Sequence, residues 1–295
     1  MAQLTQEQYE FVVAEVKKAA RRMTVGRNLI PTPPPLGFGA ETVKYDKLTE
    51  MSQGRTDLEW GAGFSEDTVH LTPARVPIPV MHKEFELNRR QVEASQRNGT
   101  PLPTTAVDAA TYAVMKEEDN RIIKGYSVDG TNYDVQGLYT ATGVNAATGA
   151  DISTATNIPI VIQEAIGLLA ADNIPGPYTL VLHPTQYNEM FALIGTATDA
   201  LYYDYAIKRM SAIAPDGNGL AVNQPGRVFS STDITATTGM MLGPPYLKFA
   251  EYQVGQDLTV ETKELEKGGN TWGVVYVTGA PLVYDANGIC TIAAT

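Results

Sequence analysis

Residues 31–39 read Pro-Thr-Pro-Pro-Pro-Leu-Gly-Phe-Gly, and no other stretch constrains the fold of this 295-residue chain as tightly. Proline locks φ and removes a backbone donor, so the run admits neither a helix nor a central strand. It must be a stiff, extended connector. Ahead of it, Thr5–Met23 predicts an amphipathic helix. Tyr9, Val12, Val13, Val16, Ala19, Ala20 and Met23 recur at helical spacing on one face. Thr5 with Gln8 has the form of a capping box, and Lys17, Lys18, Arg21 and Arg22 suit the helix C-terminus. A helix tethered by such a connector is expected to be a separate arm rather than part of a compact core.

The stretch after the connector is equally unusual. Val43 and Tyr45 open a strand, and Val69, Leu71, Val76, Ile78 and Val80 supply its return. Between them runs Gly54-Arg-Thr-Asp-Leu-Glu-Trp-Gly-Ala-Gly-Phe64, polar and rich in glycine. A lone two-stranded hairpin is marginal in water. One this long is expected to lie on another subunit, with Arg55, Asp57, Trp60 and Phe64 as inter-subunit contacts and Trp60 as an interface anchor.

Phe85–Ala94 reads as a short helix ending at Asn98-Gly99, and Thr104–Lys124 as a long one of roughly 30 Å, stopped by Gly125. Further helices are expected at Pro159–Ala171, Pro184–Ile194 and Asp199–Ser211. Strands are expected at Tyr178–His183, Val228–Ser230, Tyr246–Tyr252, Leu258–Glu264, Thr271–Thr278, Leu282–Tyr284 and Ile289–Ile292. Helices in the middle and strands late give an α+β class.

Little in the chain points to chemistry. His70, His82 and His183 have no ligand spacing, and no nucleophile elbow, Walker loop or dinucleotide fingerprint is present. Glu117, Glu118 and Asp119 are consecutive on a helix, so they point about 100° apart and do not converge on one substrate. A solvated face, or ion pairs to Arg89 and Arg90, is the expected use. Cys290, the sole cysteine, excludes a disulfide framework and reads as a small packed residue. A formal net charge of −11 argues against a dedicated nucleic-acid binder. The N-terminal residues do not have a signal-peptide pattern, and no apolar run is long enough to span a membrane. The expectation is a non-enzyme with no catalytic, cofactor or metal site.

Several motifs in this order resemble the encapsulin and tailed-virus capsid superfamily. They are Leu4-Thr-Gln-Glu-Gln-Tyr9 and Val25-Gly-Arg27, then Phe85-Glu-Leu with Arg97-Asn-Gly-Thr-Pro101. Glu117-Glu-Asp119 with Ile122-Ile-Lys-Gly125 and Gly137-Leu138 comes next, then Asp172-Asn-Ile-Pro-Gly-Pro-Tyr-Thr-Leu-Val-Leu182 and Gly255-Gln-Asp-Leu258. The resemblance implies a Hong Kong 97-like capsid fold. It divides into an N-terminal helix and arm (1–41), an extended loop (42–80), a peripheral domain with a spine helix (81–154 and 241–295) and an axial domain (155–240). Tyr9, Val13, Val16 and Arg27 are the implied arm residues. The implied partners are further copies of the chain, as pentamers and hexamers of a closed icosahedral shell, with no membrane.

Three features weigh toward a viral or proviral major capsid protein enclosing DNA, in a virion assembled in the host cytoplasm. They are the length of Tyr139–Asp151, Gly243-Pro-Pro-Tyr-Leu in place of a Gly-Gly-Asp-Phe stretch, and the tail Gly279–Ile289. The alternative is a cytoplasmic encapsulin nanocompartment enclosing cargo enzymes. The fold also implies the option of a lysine–asparagine isopeptide weld between subunits. The loop offers only Lys44 and Lys47 near its base, so the shell is expected to be non-covalent.

Overall fold

In the computed structural model the described residues are 4–20, 25–48, 71–98, 104–128, 134–194, 201–215, 221–264 and 270–292. Helix α1 (Gln6–Ala20) starts where the capping box places it. Thr5 N–H donates to Gln8 Oε1 (3.1 Å), and Gln8 N–H donates to Thr5 Oγ1 (3.3 Å). After the single turn α2 (Gly26–Leu29) and the extended connector come β1 (Thr42–Leu48) and β2 (Leu71–Pro77). These pair antiparallel from Thr42↔Pro77 to Leu48↔Leu71 and form the legs of the expected hairpin. Its tip, with Arg55, Asp57, Trp60 and Phe64, lies outside the described residues.

The chain continues as β3 (Val80–Leu87), α3 (Arg89–Asn98), α4 (Thr105–Lys124), β4 (Gly125–Tyr126), β5 (Val135–Gln136), β6 (Asn145–Ala147), α5 (Ile158–Ala171) and β7 (Thr179–Leu182). Then come α6 (Pro184–Glu189), α7 (Tyr202–Met210), β8 (Ala212–Pro215), β9 (Ala221–Gln224), β10 (Arg227–Ser230), β11 (Gly239–Leu242), β12 (Ala250–Glu264), β13 (Thr271–Val283) and β14 (Ile289–Ile292). The class is α+β, as expected.

Two sheets carry the architecture. The three-stranded sheet has order β12-β13-β3. One of its faces, with Met81, Phe85, Leu87, Val260, Val275 and Val277, packs on α4 and α1. The five-stranded sheet has order β10-β7-β11-β14-β6, with β10 parallel to β7 and β14 parallel to β6. One face of this sheet holds α5 and α7, through Leu180, Met241 and Cys290. The other turns Val181, Met240, Leu242 and Ile289 toward Ile122 and Ile123 of α4 and Phe249 and Tyr252 beside it. The end of α4 is therefore the junction of the two layers.

Several elements differ from the sequence reading. Phe85-Glu-Leu belongs to β3, not to a helix, because Met81, Phe85 and Leu87 point into the core. Helix begins only after Asn88, whose side-chain oxygen accepts from Arg90 N–H at 2.9 Å. Tyr246–Tyr252 and Leu258–Glu264 are not two strands. Residues 245–247 form a 3₁₀ turn, and β12 runs continuously from Ala250 with register shifts on either side of Gln256. The last helices are also shorter, α6 ending at Glu189 and α7 starting at Tyr202.

Gly125 ends α4 at φ 82°, and its N–H donates to Arg121 O. A Cβ there would collide with Val135 O and lie 2.5 Å from Gly137 N. Gly125→Ala therefore combines left-handed strain with a backbone clash. It is expected to cost about 1–3 kcal/mol from the strain alone, read as a lower midpoint of urea unfolding.

Candidate functional site

The N-terminal segment is fastened to the body at α2, by acids that the sequence reading placed in solvent. Gly26 lies so close to α4 that an added Cβ would sit 2.8 Å from Ile122 Cδ1 and 3.0 Å from Asp119 Oδ1. Only glycine lets the backbone approach this far. The first N–H groups of a helix lack intrahelical acceptors. Here Asp119 supplies them, its Oδ2 accepting from Val25 N–H (3.1 Å) and its Oδ1 from Gly26 N–H (3.0 Å). One residue on, Arg27 donates from Nε (3.0 Å) and Nη2 (2.7 Å) to Glu118 Oε1, and from Nη1 to Asp257 Oδ1 (2.9 Å). Tyr252 O–H donates to the same Glu118 oxygen at 2.9 Å, and the guanidinium sits 5.9 Å from the Tyr252 ring centroid. Leu29 and Ile30 then enter the core beside Ile122 and Phe249.

The connector extends this fastening along β12. Tyr252 N–H donates to Pro31 O (2.9 Å), Leu36 N–H to Val254 O (3.0 Å) and Gly37 N–H to Gly255 O (2.7 Å). Pro33, Pro34 and Pro35 intervene without N–H groups to satisfy, so the run suits an edge that needs only occasional bonds.

Electrostatically the site is tense. Glu118 is fully buried and its Oε2 has no partner. Burial pushes its carboxyl up against the pull of Arg27. Burial also works against the Arg27 cation, but Glu118 and Asp257 together outweigh it and hold the guanidinium above its ordinary range. Both groups are shifted upward, which disfavours the ionised form of Glu118 and favours that of Arg27. The bonding pattern, with all three donors on one oxygen, is that of a carboxylate facing a permanent cation. Asp119 is pushed up to about 6, by burial first, with the charges of Glu118 and Asp233 adding to it. Burial also raises the Tyr252 hydroxyl well above its usual range. This arrangement clamps a segment in place; it presents no nucleophile and no open polar pocket.

The Glu117–Asp119 run is therefore corrected. Glu117 pairs with Arg121, Glu118 and Asp119 are buried, and Arg89 bonds Glu93 at 2.8 Å instead. The expected divergence does not keep them apart: Glu118 meets the Arg27 side chain and Asp119 the Val25 and Gly26 backbone, so both converge on one turn. The expectation of a free-standing arm also fails. Val16 is buried together with Val12 and Val13 is partly buried, all against the three-stranded layer. Tyr9, 36% exposed, donates from its hydroxyl to Val260 O at 3.2 Å. A surface groove of about 380 Å³ remains between the start of α1 and the ends of β12 and β13, lined by Leu4, Thr5, Tyr9, Thr262, Lys263 and Thr271.

Elsewhere, His183 caps α6 through Nδ1, which accepts from Thr185 N–H (3.3 Å), and His82 is exposed on β3. Cys290 is buried, and burial pushes its thiol up to about 11. Among the described residues no group of three or more His, Cys, Asp or Glu is placed to hold a metal ion, and no helix is long and apolar enough to cross a membrane.

Comparison with known proteins gives a consistent picture. A model of the Linocin_M18 family, described as "Encapsulating protein for peroxidase", matches residues 1–204. The type 1 encapsulin shell protein EncA of Myxococcus xanthus is 29% identical over 238 residues, covering 80% of this chain and 77% of that protein. A diheme-cytochrome-encapsulin shell fusion protein of Kuenenia stuttgartiensis is 28% identical over 62% of this chain, which spans 49% of the fusion's length. Among solved structures, the virus-like particle from Pyrococcus furiosus superposes with a TM-score of 0.67 at 13% identity, covering 97% of this chain and 99% of that one. The capsid of Myoviridae phage XM1 gives 0.65 at 13% identity over 90% of each chain. The fold is the Hong Kong 97-like capsid fold.

Arg27→Met leaves Glu118 buried without its cation, a change that costs about 3–5 kcal/mol when one member of a buried pair is removed. Arg27→Lys should recover only part of this, because an ammonium does not reproduce the guanidinium fork. The double variant Arg27→Met with Glu118→Gln should be more stable than Arg27→Met alone. Urea unfolding of the three variants measures this, and a cost for Arg27→Met within the range of a surface substitution would contradict the buried clamp.

Proposed function

The chain belongs to the Linocin_M18 family of encapsulating proteins, and from that premise we propose that it is the shell protein of an encapsulin-type compartment holding a protein cargo. As a family member it is a shell-forming, capsid-like protein. The observation that carries the finer reading is the family match across residues 1–204, which includes α1, Arg27 and α4 with Glu118 and Asp119. The named relatives are encapsulin shell proteins, which favours this alternative over the expected viral capsid. The longer Tyr139–Asp151 segment, a viral feature on the sequence reading, has a local explanation. Its residues Asn145–Ala147 form β6 and pair with β14, adding an edge strand to the five-stranded sheet.

On this reading copies of the chain close into pentamers and hexamers in the cytoplasm, through the 42–80 loop and the axial and peripheral domains. Helix α1 faces the lumen, and the groove beside Tyr9 and Lys263 is offered to cargo. The shell is a structural component and any catalysis belongs to what it encloses.

Particles purified after nuclease treatment should appear closed in electron micrographs and should shelter a co-purifying protein from protease. Uniform, nuclease-protected DNA in place of that protein would return the viral reading. Lys44 and Lys47 lie on β1 opposite Arg75 and Thr72, on the legs of the hairpin. Particles boiled in detergent with reductant should accordingly run as single chains, and a ladder of covalent multimers would contradict a non-covalent shell.

A further inference from the structure

The two legs of the hairpin pair in a register that sets like charges against each other. Ile78 N–H donates to Glu41 O at 2.9 Å, which makes these two a hydrogen-bonded pair. By alternation Thr42↔Pro77, Lys44↔Arg75 and Asp46↔Pro73 are the non-hydrogen-bonded pairs, where a proline's missing N–H is not needed and side chains approach closest. Lys44 and Arg75 are exposed, and neither they nor Asp46 enter an ion pair among the described residues. Like charges directly opposite destabilise paired strands, and a two-stranded ribbon is marginal already. The other face of the legs packs on the chain's own body, with Val43 and Val76 against Ile78 and Val135 and Tyr45 edge-on to Tyr284 at 5.2 Å. The face bearing Lys44 and Arg75, flanked by Pro73 and Pro77, is therefore turned away from that body.

The three-stranded sheet carries the complement. Met81, Phe85, Val275 and Val277 point toward α1 and α4. By alternation Trp272 and Val274 of β13, and Glu84 and Glu86 of β3, point the other way. The solvent face of an antiparallel sheet is ordinarily polar. Here Trp272 and Val274 are half-buried and join none of the apolar clusters of the described residues. Beside them on the edge strand β3 lie Glu84, opposite Val274, and Glu86, opposite Trp272. Both acids are exposed and without an ion pair among the described residues. An apolar centre with a charged rim is how interfaces between chains are built. Copies of a chain with net charge −11 repel one another, so a contact between them gains where cation faces anion. We propose that the outer face of the β1–β2 hairpin docks on this face of the three-stranded sheet of a second copy, with Lys44 and Arg75 against that copy's Glu84 and Glu86. The two carboxylates, roughly 7 Å apart along the strand, are spanned by the two long cationic side chains, and the prolines lie over Trp272 and Val274. The contact rests on the shell reading, in which copies associate through the 42–80 loop.

Carbodiimide treatment of natural particles tests it. The reagent joins an ammonium to a touching carboxylate as an amide and takes up the lost water as a urea. Bands of two or more chains on a denaturing gel should yield, by peptide mass spectrometry, Lys44 linked to Glu84 or Glu86. Lys44→Glu with Arg75→Glu should lower the yield of closed particles at least about tenfold, as should Glu84→Lys with Glu86→Lys, because each sets like charges face to face. The four changes together should restore the particles. Where a charge-reversed chain does not fold, the link in natural particles decides. Particles without that link, or a fourfold variant that folds but does not recover, would overturn the contact and leave the shell reading standing. A natural chain that stays monomeric would overturn both. Charge reversal that strips nucleic acid from particles lacking the link would assign the two cations to phosphates instead, and the proposal would fall.

Discussion

The buried pair of Arg27 with Glu118 is the interaction on which the rest of the N-terminal half depends. Helix α4 brings Glu118 and Asp119 inside the molecule, where an unpaired carboxylate is costly. The N-terminal segment answers both, with a guanidinium for one and two backbone N–H groups for the other. Such a pair adds little stability over an apolar substitute, because desolvating two ions offsets their attraction. Its contribution is position. Very few arrangements satisfy a planar fork, a hydroxyl and two amides at once, so the path of residues 25–30 is fixed.

That fixed path sets the neighbouring features. The connector meets β12 at Tyr252, Val254 and Gly255 because α2 delivers it there. The register shifts around Gln256 turn Asp257 toward Arg27, and the same stretch supplies Tyr252 to Glu118. Helix α1 is returned to its own sheet, where Val12 and Val16 are buried, rather than left free. A shell subunit built this way carries its N-terminal helix packed on its own three-stranded layer. At the other end of the connector the hairpin legs begin, with Val43 and Val76 packed against Ile78, Val135 and Ala280.

How much of this was legible depended on range. The α1 cap and the extent of α4 with its glycine stop are set by residues within a few positions of each other, and each hairpin leg shows its own strand pattern, so the sequence shows them. Cys290 as a packed residue can be read from its apolar neighbours. The clamp was not legible, because Arg27 and Glu118 are 91 positions apart and an acidic run reads as solvated wherever its partner is unseen. The one available signal was Val25-Gly-Arg27, a glycine and a cation side by side, which the family resemblance marked without giving Arg27 a partner. Strand β3 was hidden by Lys83, an exposed residue where the alternation calls for a buried one. The four-residue β11, Gly-Met-Met-Leu, is too short to show a period and is a strand only because β7 and β14 flank it.

A reconstruction of the assembled particle at side-chain resolution tests the central claim most directly. The account predicts, in every subunit, Arg27 density continuous with Glu118 and Asp257 of the same chain, with α1 packed on that chain's own three-stranded sheet. Density placing Arg27 in solvent, or α1 on a neighbouring subunit, would contradict it.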